Sequence, residues 1–519
     1  MKSILRLQWK VELREFNYIY WLLQIYIEFI MMIRFQKGIL FYIFVLVSFT
    51  LQFCSMDSSS SKKEYDIVIL NGRVIDPESN LDAIRNIGIR DGTVRLITTE
   101  EIKGRTSINA QDLVVAPGFI DMHQHGQDHE NYTYKIMDGV TTALELEMGT
   151  ADVDLWYKER EGRSLINHGV SVGHVPLRMK IMNDPGGFAP VAEAVYKAAS
   201  EEEIALLKDG IEIGLNRGAL GVGFGLMYTP AASRWEVLEM FRIASKAQAP
   251  CIVHMRYAGL KEPNSCIAAL EEVISAAAIT GASLHVVHIT SLGFSFTPLM
   301  LQMIAEARSR GLDITVECYP YTATQTTIES AVYDEGWQES LGITFGDLQW
   351  VETGERLTAE SFAKYRKTGG MVIAHSITED IVRSTISDSI VLIASDGTLT
   401  GGKGHPRGTG TFARVLGKYV RDEKVLSLSE GLRKITLMPA QRLEEIAPVM
   451  KKKGRIREGA DADITIFDPE QILDQATYEE PAKYSKGINY VIVNGTIVVQ
   501  EGRLLDGVFP GKAVRGSVR

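Results

Sequence analysis

Four cysteines in 519 residues, Cys54, Cys251, Cys266 and Cys318, are too few for a disulfide framework and lack the paired spacing of a structural zinc site. Positive charge is also short. With 55 Lys+Arg against 65 Asp+Glu the formal net charge is -10, which argues against nucleic acid, whose phosphates need basic patches. A phosphate-binding loop is missing too. The Gly-rich stretch 218–225 runs into Leu226-Met227-Tyr228-Thr229-Pro230 without the Lys-Ser/Thr of such a loop, and reads as a close-packed strand. What is there, 45% hydrophobic and 23% charged residues, is the composition of a soluble globular protein too long for one small domain.

The first 63 residues differ in kind. Lys37-Gly38 precedes an apolar run over 39–53, and a polar stretch follows over 55–63. A short basic region, an apolar core and a polar tether form an export signal, so the body is expected outside the cytoplasm, periplasmic or tethered to a membrane. Glu12, Arg14 and Glu15 are out of place upstream of such a signal. A start at Met31 or Met32 gives a cleaner one, with Arg34 and Lys37 as its basic region. Cys54 is a candidate lipid acceptor, although Phe53 stands where a small residue is expected. The alternative is an uncleaved anchor, for which the run is barely long enough.

From residue 65 short β-type runs (65–70, 72–75, 87–90, 93–98) are broken by Asn71-Gly72 and Asp91-Gly92 turns, and a matching set returns at 462–467 and 490–499. Strands at both ends of a chain point to one small β domain built from both termini. Between them apolar or β-branched runs at 140–146, 220–224, 251–255, 283–290, 314–319, 371–375 and 390–395 alternate with helical stretches. Ser200-x-x-Glu203, Ser233-x-x-Glu236 and Ser427-x-x-Glu430 open three of these as capping boxes. No dinucleotide fingerprint follows the first strand, so repeated β-α units predict a TIM-like (β/α)8 barrel rather than an open sheet. The predicted division is a signal segment and tether (1–63), the N-terminal half of a small β-sandwich (64–115), the α/β barrel (116–446) and the C-terminal half of the sandwich (447–519).

Side chains that do chemistry on such a barrel sit at the C-terminal ends of strands. Directly after the apolar run 113–120 comes Asp121-Met122-His123-Gln124-His125-Gly126. Alternate residues on a strand share a face, so His123 and His125 project side by side, as half a metal site. The other strand ends carry Glu145 and Glu147, His254, His288 and Asp396, so four of the ten histidines fall at these positions. Four imidazoles with carboxylates can hold one or two divalent ions. His285 and His288, three apart on a strand, face opposite ways, so one of them can enter the barrel; His288 is the choice and His285 is structural. His129 and His168 read as loop residues, and His375 as a residue supporting the ligands from behind.

Residues 117–126 with Ser395-Asp396-Gly397 resemble the amidohydrolase superfamily, and within it the D-aminoacylase (N-acyl-D-amino-acid deacylase) family. The similarity is carried by Gly139-Val140-Thr141-Thr142, Gly173-His174, the stretches 218–230 and 316–323, and His405-Pro406-Arg407 with Gly410-Thr411-Phe412. It continues through 436–442 and 459–468. It implies a metal-containing barrel with a flanking β-sandwich, hydrolysing the amide of N-acyl-D-amino acids around one or two Zn2+ ions. By matching position His123, His125, His254, His288 and Asp396 are metal ligands, Tyr228 and Tyr321 line the substrate pocket, and Arg407 clamps the substrate carboxylate, a task that suits its planar fork. Arg256 is a further substrate-binding candidate.

Three departures stand out. Met148 occupies the position of the family's cysteine ligand, so the adjacent Glu147 is expected to supply a carboxylate instead, with Glu145 as the fallback; oxygen for sulfur favours two ions bridged by a carboxylate. Thr290 replaces a basic residue, and Thr409 an aromatic. The expected mechanism is attack by a metal-bound hydroxide on the amide carbonyl, with Asp396 carrying the proton to the leaving nitrogen. The rivals are a cyclic amidase of the hydantoinase or dihydroorotase kind, a dipeptidase, and a non-catalytic binding protein on the same fold. The first is disfavoured because the stretch 220–228 has no lysine to bridge two metals.

Overall fold

The computed structural model describes residues 21–28, 31–32 and 64–517. The export signal and Cys54 lie outside the described residues. Residues 21–28 are helical and belong to a unit separate from the body that begins at Tyr65. Among the described residues no helix is long and apolar enough to cross a membrane.

Eight parallel strands form the centre of the body. In chain order they are Phe119–Asp121, Val140–Thr150, Asn167–Gly173, Val222–Gly225, Cys251–His254, Leu284–Val286, Ile314–Cys318 and Val391–Ile393, here the first to eighth barrel strands. Each pairs with its neighbour in sequence, and the seventh with the eighth. The loop after the eighth strand closes the ring onto the first: the Asp396 amide donates to His123 O (2.7 Å) and the His125 amide to Gly397 O (3.0 Å). Strands covered on both faces need near-continuous apolar sequence, as the buried Cys251–Val253 and Val391–Ile393 show.

Strands from both ends of the body, Tyr65–Asp76 through Val114–Pro117 and Ile464–Phe467 through Arg503–Leu504, make one nine-stranded sheet around its own apolar core of Ile69, Val74, Ile87, Ile464 and Ile492. The two sets join where Val114–Pro117 runs antiparallel to Ile464–Phe467.

Four sequence expectations change. The third barrel strand, Asn167–Gly173, escapes the apolar pattern because its polar groups are satisfied inside: Asn167 donates to Asp463 (3.0 Å) and accepts from Asn494 (2.7 Å). His168 therefore lies on a barrel strand, buried, not in a loop. The run 371–375 is not a barrel strand. Met371–Ala374 is the centre of a three-stranded antiparallel sheet with Thr324–Thr327 and Leu348–Trp350, packed on Trp337, Trp350 and Tyr333 between the seventh and eighth strands. Lastly, Ser200 and Glu203 close a reciprocal capping box, but Ser233 and Ser427 each cap without the returning glutamate. Glu236 is diverted inward, where it accepts from Arg178 (2.7 and 2.8 Å) and pairs with His174 (2.7 Å).

Candidate metal centre

All the strand-end donors meet at one mouth of the barrel. His123, His125, Glu147 and Asp396 form one group of ligand atoms, and Glu147, His254 and His288 a second, with every atom of a group within 4.8 Å of the others. Glu147 belongs to both. Its Oε2 lies 2.5 Å from His123 Nε2 and 3.5 Å from both His125 Nε2 and His288 Nε2, while its Oε1 lies 2.8 Å from His254 Nδ1. Asp396 Oδ1 completes the first group at 3.2 Å from His125 Nε2 and 3.5 Å from His123 Nε2.

Backbone irregularities aim these groups. Register shifts between Glu145 and Thr150 where the second barrel strand pairs with the third, a bulge that re-aims side chains. Gly223 on the fourth strand allows the close approach, since a Cβ there would sit 2.2 Å from Glu147 O. His288 lies past the end of its strand at φ 29°, and Asp396 has φ 54°, both in the left-handed region that non-glycine residues avoid. The turn at His288 overturns the expectation that one histidine of its pair can enter the barrel. His285 and His288 are both buried, and both point inward.

The ring nitrogens turned away from the centre are held individually. Glu145 Oε2 pairs with His125 Nδ1 (2.8 Å) while its Oε1 accepts from the Met148 and Gly149 amides (3.1 and 3.3 Å), so Glu145 braces a ligand candidate and Glu147 occupies the centre. Ser291 Oγ is 2.7 Å from His288 Nδ1, and Glu317 Oε1 2.5 Å from His123 Nδ1. Sequence reasoning does not find Glu317; its one signal is a lone acid inside the apolar run Ile314–Cys318.

The donor set fits divalent cations. The Nε2 atoms of His123 and His125 face each other at 3.3 Å, an arrangement in which two lone pairs repel unless a cation lies between them. His254 Nε2 is buried without a hydrogen-bond partner among the described residues. Burial opposes the ionisation of Glu147, yet His123 and His254 hold its carboxyl well below the ordinary range. Burial likewise works against Asp396, and Arg407 and then His123 outweigh it, so it too is ionised. Buried carboxylates in such number demand positive charge.

Beside the cluster opens a recess lined by Phe188, Met227, Tyr228, Phe294, Tyr319, Val332, Met371 and Arg407, and roofed by the three-stranded sheet through Thr324, Gln325 and Thr326. Arg407 Nη1 lies 2.9 Å from Asp396 Oδ2, its guanidinium rests 4.6 Å over the Tyr319 ring, and its Nε has no hydrogen-bond partner among the described residues. Tyr228 donates to or accepts from Thr326 Oγ1 at 3.0 Å. Two expected pocket residues lie elsewhere. Arg256 is spent on Glu272 in a two-point pair (2.7 and 2.9 Å) and on Pro230 O. Tyr321 donates to Asp474 under Arg414, and the strand-end Tyr319 takes the wall in its place. His375 sits against Gln349 and Tyr478 in the roof sheet, away from the donors.

A family model for the amidohydrolase family matches residues 178–499. The chain is 28% identical over 490 residues to a D-aminoacylase of Alcaligenes xylosoxydans xylosoxydans, covering 86% of this chain and 96% of the relative. An N-acyl-D-glutamate deacylase of the same organism is 27% identical over 481 residues, covering 84% and 94%. Among solved structures, the N-acyl-D-glutamate deacylase of Bordetella bronchiseptica, in complex with zinc and a phosphonate mimic of the tetrahedral intermediate, superposes with a TM-score of 0.74 at 26% identity, over 87% of this chain and 100% of that one. A barrel with this donor cluster at its mouth and a match over more than half the sequence make the chain a member of the amidohydrolase family.

Proposed function

We propose that the protein is a metal-dependent hydrolase that cleaves the amide of N-acyl-D-amino acids, releasing a carboxylic acid and the free D-amino acid. The observation that carries this reading is Glu147, shared by two donor groups beside a recess whose wall presents one guanidinium. His123, His125, Glu147 and Asp396 would hold one divalent ion, and Glu147, His254 and His288 another, with zinc suited to such nitrogen-rich sets. Such ions supply Lewis acidity, which acidifies water and polarises an acyl carbonyl.

The remaining work belongs to side chains. Asp396 stands between the imidazoles on one side and Arg407 on the other, placed to take a proton from the attacking water and return it to the leaving nitrogen. Without that return the amine is too poor a leaving group. Arg407, braced on Tyr319, offers the substrate carboxylate a planar two-point contact. Phe188, Met227, Phe294, Val332 and Met371 form an apolar wall for the amino-acid side chain and keep bulk water from the reacting carbonyl.

A cyclic amidase fits less well. The carboxylate between the two donor groups comes from Glu147 on the second strand, and residues 220–228 around the fourth contain no lysine. The basic, apolar and polar order of residues 37–63 supports a site of action outside the cytoplasm, periplasmic or membrane-tethered; fractionation of cells expressing the whole chain tests it.

The test of activity is metal-loaded protein offered a panel of N-acetyl-D- and N-acetyl-L-amino acids, dipeptides and hydantoins. Release of free D-amino acid is expected. Within the D series, leucine and phenylalanine should exceed glutamate and aspartate, because Arg407 is the one Lys or Arg among the residues lining the recess. Ring opening of hydantoins in place of deacylation would refute the proposal.

A further inference from the structure

We infer that Glu317, locked by His285 and Thr315, is a positioning residue that fixes the tautomer and aim of His123 at the metal centre. The inference rests on the proposal that His123 is a ligand. Glu317 lies one residue before the C-terminal end of the seventh barrel strand with its side chain inside the barrel and 1% of the residue exposed. It reaches across the interior to the first strand's His123, 194 residues earlier, with Oε1 2.5 Å from Nδ1. Its other oxygen, Oε2, is 2.8 Å from His285 Nε2, and His285 Nδ1 is 2.8 Å from Thr315 Oγ1. Thr315 and Glu317 share a face of their strand, and His285 pairs in register with Thr315 on the sixth.

The direction of every bond in this chain follows from one fact. An ionised carboxylate only accepts. His123 Nδ1 and His285 Nε2 must therefore both carry hydrogen, and His285 Nδ1, left with a lone pair, accepts from the Thr315 hydroxyl. In the neutral imidazole the hydrogen on Nδ1 leaves the lone pair on Nε2, the atom that faces Glu147, His125 and Asp396 and would bind the ion. A carboxylate with one partner could swing; with His285 on its second oxygen it cannot. Of the other imidazoles, His125 leans on Glu145, which is pinned at its second oxygen by the Met148 and Gly149 amides of its own strand and not by a second imidazole, and His288 on the hydroxyl of Ser291, three residues on. Carboxylate–histidine–metal pairs of this kind raise ligand basicity and hold ring orientation.

Metal binding to the chelator-treated protein tests this without recourse to turnover. Glu317→Ala should weaken the ion held by the His123 group by about 10- to 100-fold in a cobalt titration, with shifted visible absorption. The ion held by Glu147, His254 and His288 should stay within about threefold. Glu317→Gln, of the same volume, still accepts from His123 Nδ1 and should fall between wild type and Glu317→Ala; His285→Gln should weaken the same ion alone. Wild-type affinity and spectrum at both sites in Glu317→Ala would overturn the inference, as would equal weakening of both ions with a lowered melting temperature of the metal-free protein, the mark of a role in folding only. His123→Ala is the control: if it too leaves both affinities unchanged, the failure lies with His123 as a ligand and not with Glu317 as its support.

Discussion

Glu147→Gln removes one negative charge and almost no volume from a point shared by both donor groups, where the carboxylate oxygens lie 2.5 to 3.5 Å from four imidazole nitrogens. A unit charge about 4 Å from another, at an effective dielectric of about 20, is worth roughly 4 kcal/mol. That energy corresponds to a change on the order of 10³ in a dissociation constant. Because Glu147 stands in both groups, both ions should weaken together. His125→Ala and His254→Ala each touch one group and should each lose one ion. The assay is a competitive zinc titration of chelator-treated protein with metal content measured after gel filtration, and far-ultraviolet circular dichroism as the check on folding. Two tightly held ions in Glu147→Gln, with affinities within about threefold of wild type, would refute the shared-ligand geometry, since a loss of roughly 4 kcal/mol could not pass unseen.

Arg407→Lys keeps a charge but loses the planar fork and its stacking on Tyr319; KM for N-acetyl-D-leucine should rise about 10- to 100-fold, the equivalent of one or two charge-assisted hydrogen bonds, with a smaller change in kcat, and an unchanged KM would remove Arg407 from substrate binding. Glu236→Ala strands the buried Arg178 guanidinium, a loss of about 3–5 kcal/mol that should lower the melting temperature by roughly 4 °C; a shift under about 1 °C would show the pair to be dispensable. The imidazole of His168 is pushed down to about 4 by burial, so this histidine is neutral in the fold and protonates more readily when unfolded. Its contribution is complete above about pH 6.5 and is lost as pH falls toward 4, costing about 2 kcal/mol between pH 7 and 5. His168→Gln should therefore flatten the decline in melting temperature over that range, and an identical decline in both proteins would contradict the account.

The sequence showed most where chemistry and periodicity coincide. Histidines and acids at the ends of apolar strands announce themselves, because an apolar run that stops at His254 or Asp396 leaves a polar group with nowhere to go but the barrel mouth. Strands at both ends, punctuated by Asn-Gly and Asp-Gly, carried the nine-stranded sheet for the same reason. What stayed hidden depends on partners far along the chain. Asn167–Gly173 looks unlike a buried strand until Asp463 and Asn494 arrive to satisfy it. Arg256 resembles a substrate contact until Glu272 is seen to occupy it, and no local pattern separates Tyr319 from Tyr321. A period-two rule puts His285 and His288 on opposite faces; the left-handed turn at His288 breaks the rule just where the rule was needed.

The ring closes at a seam between its first and last strands, where Ser395 donates to the Asp121 carboxylate from both its amide (3.0 Å) and its hydroxyl (2.5 Å), and Lys135 Nζ lies 3.0 Å from the same acid. Asp396 hangs on that seam by its own amide. A growing chain thus exposes His123 and His125 long before the residue that completes their set has been synthesised. A polypeptide cut short before residue 390 would lack Asp396 and the seam that places it, leaving the His123 group one donor short while the sequence still carries Glu147, His254 and His288.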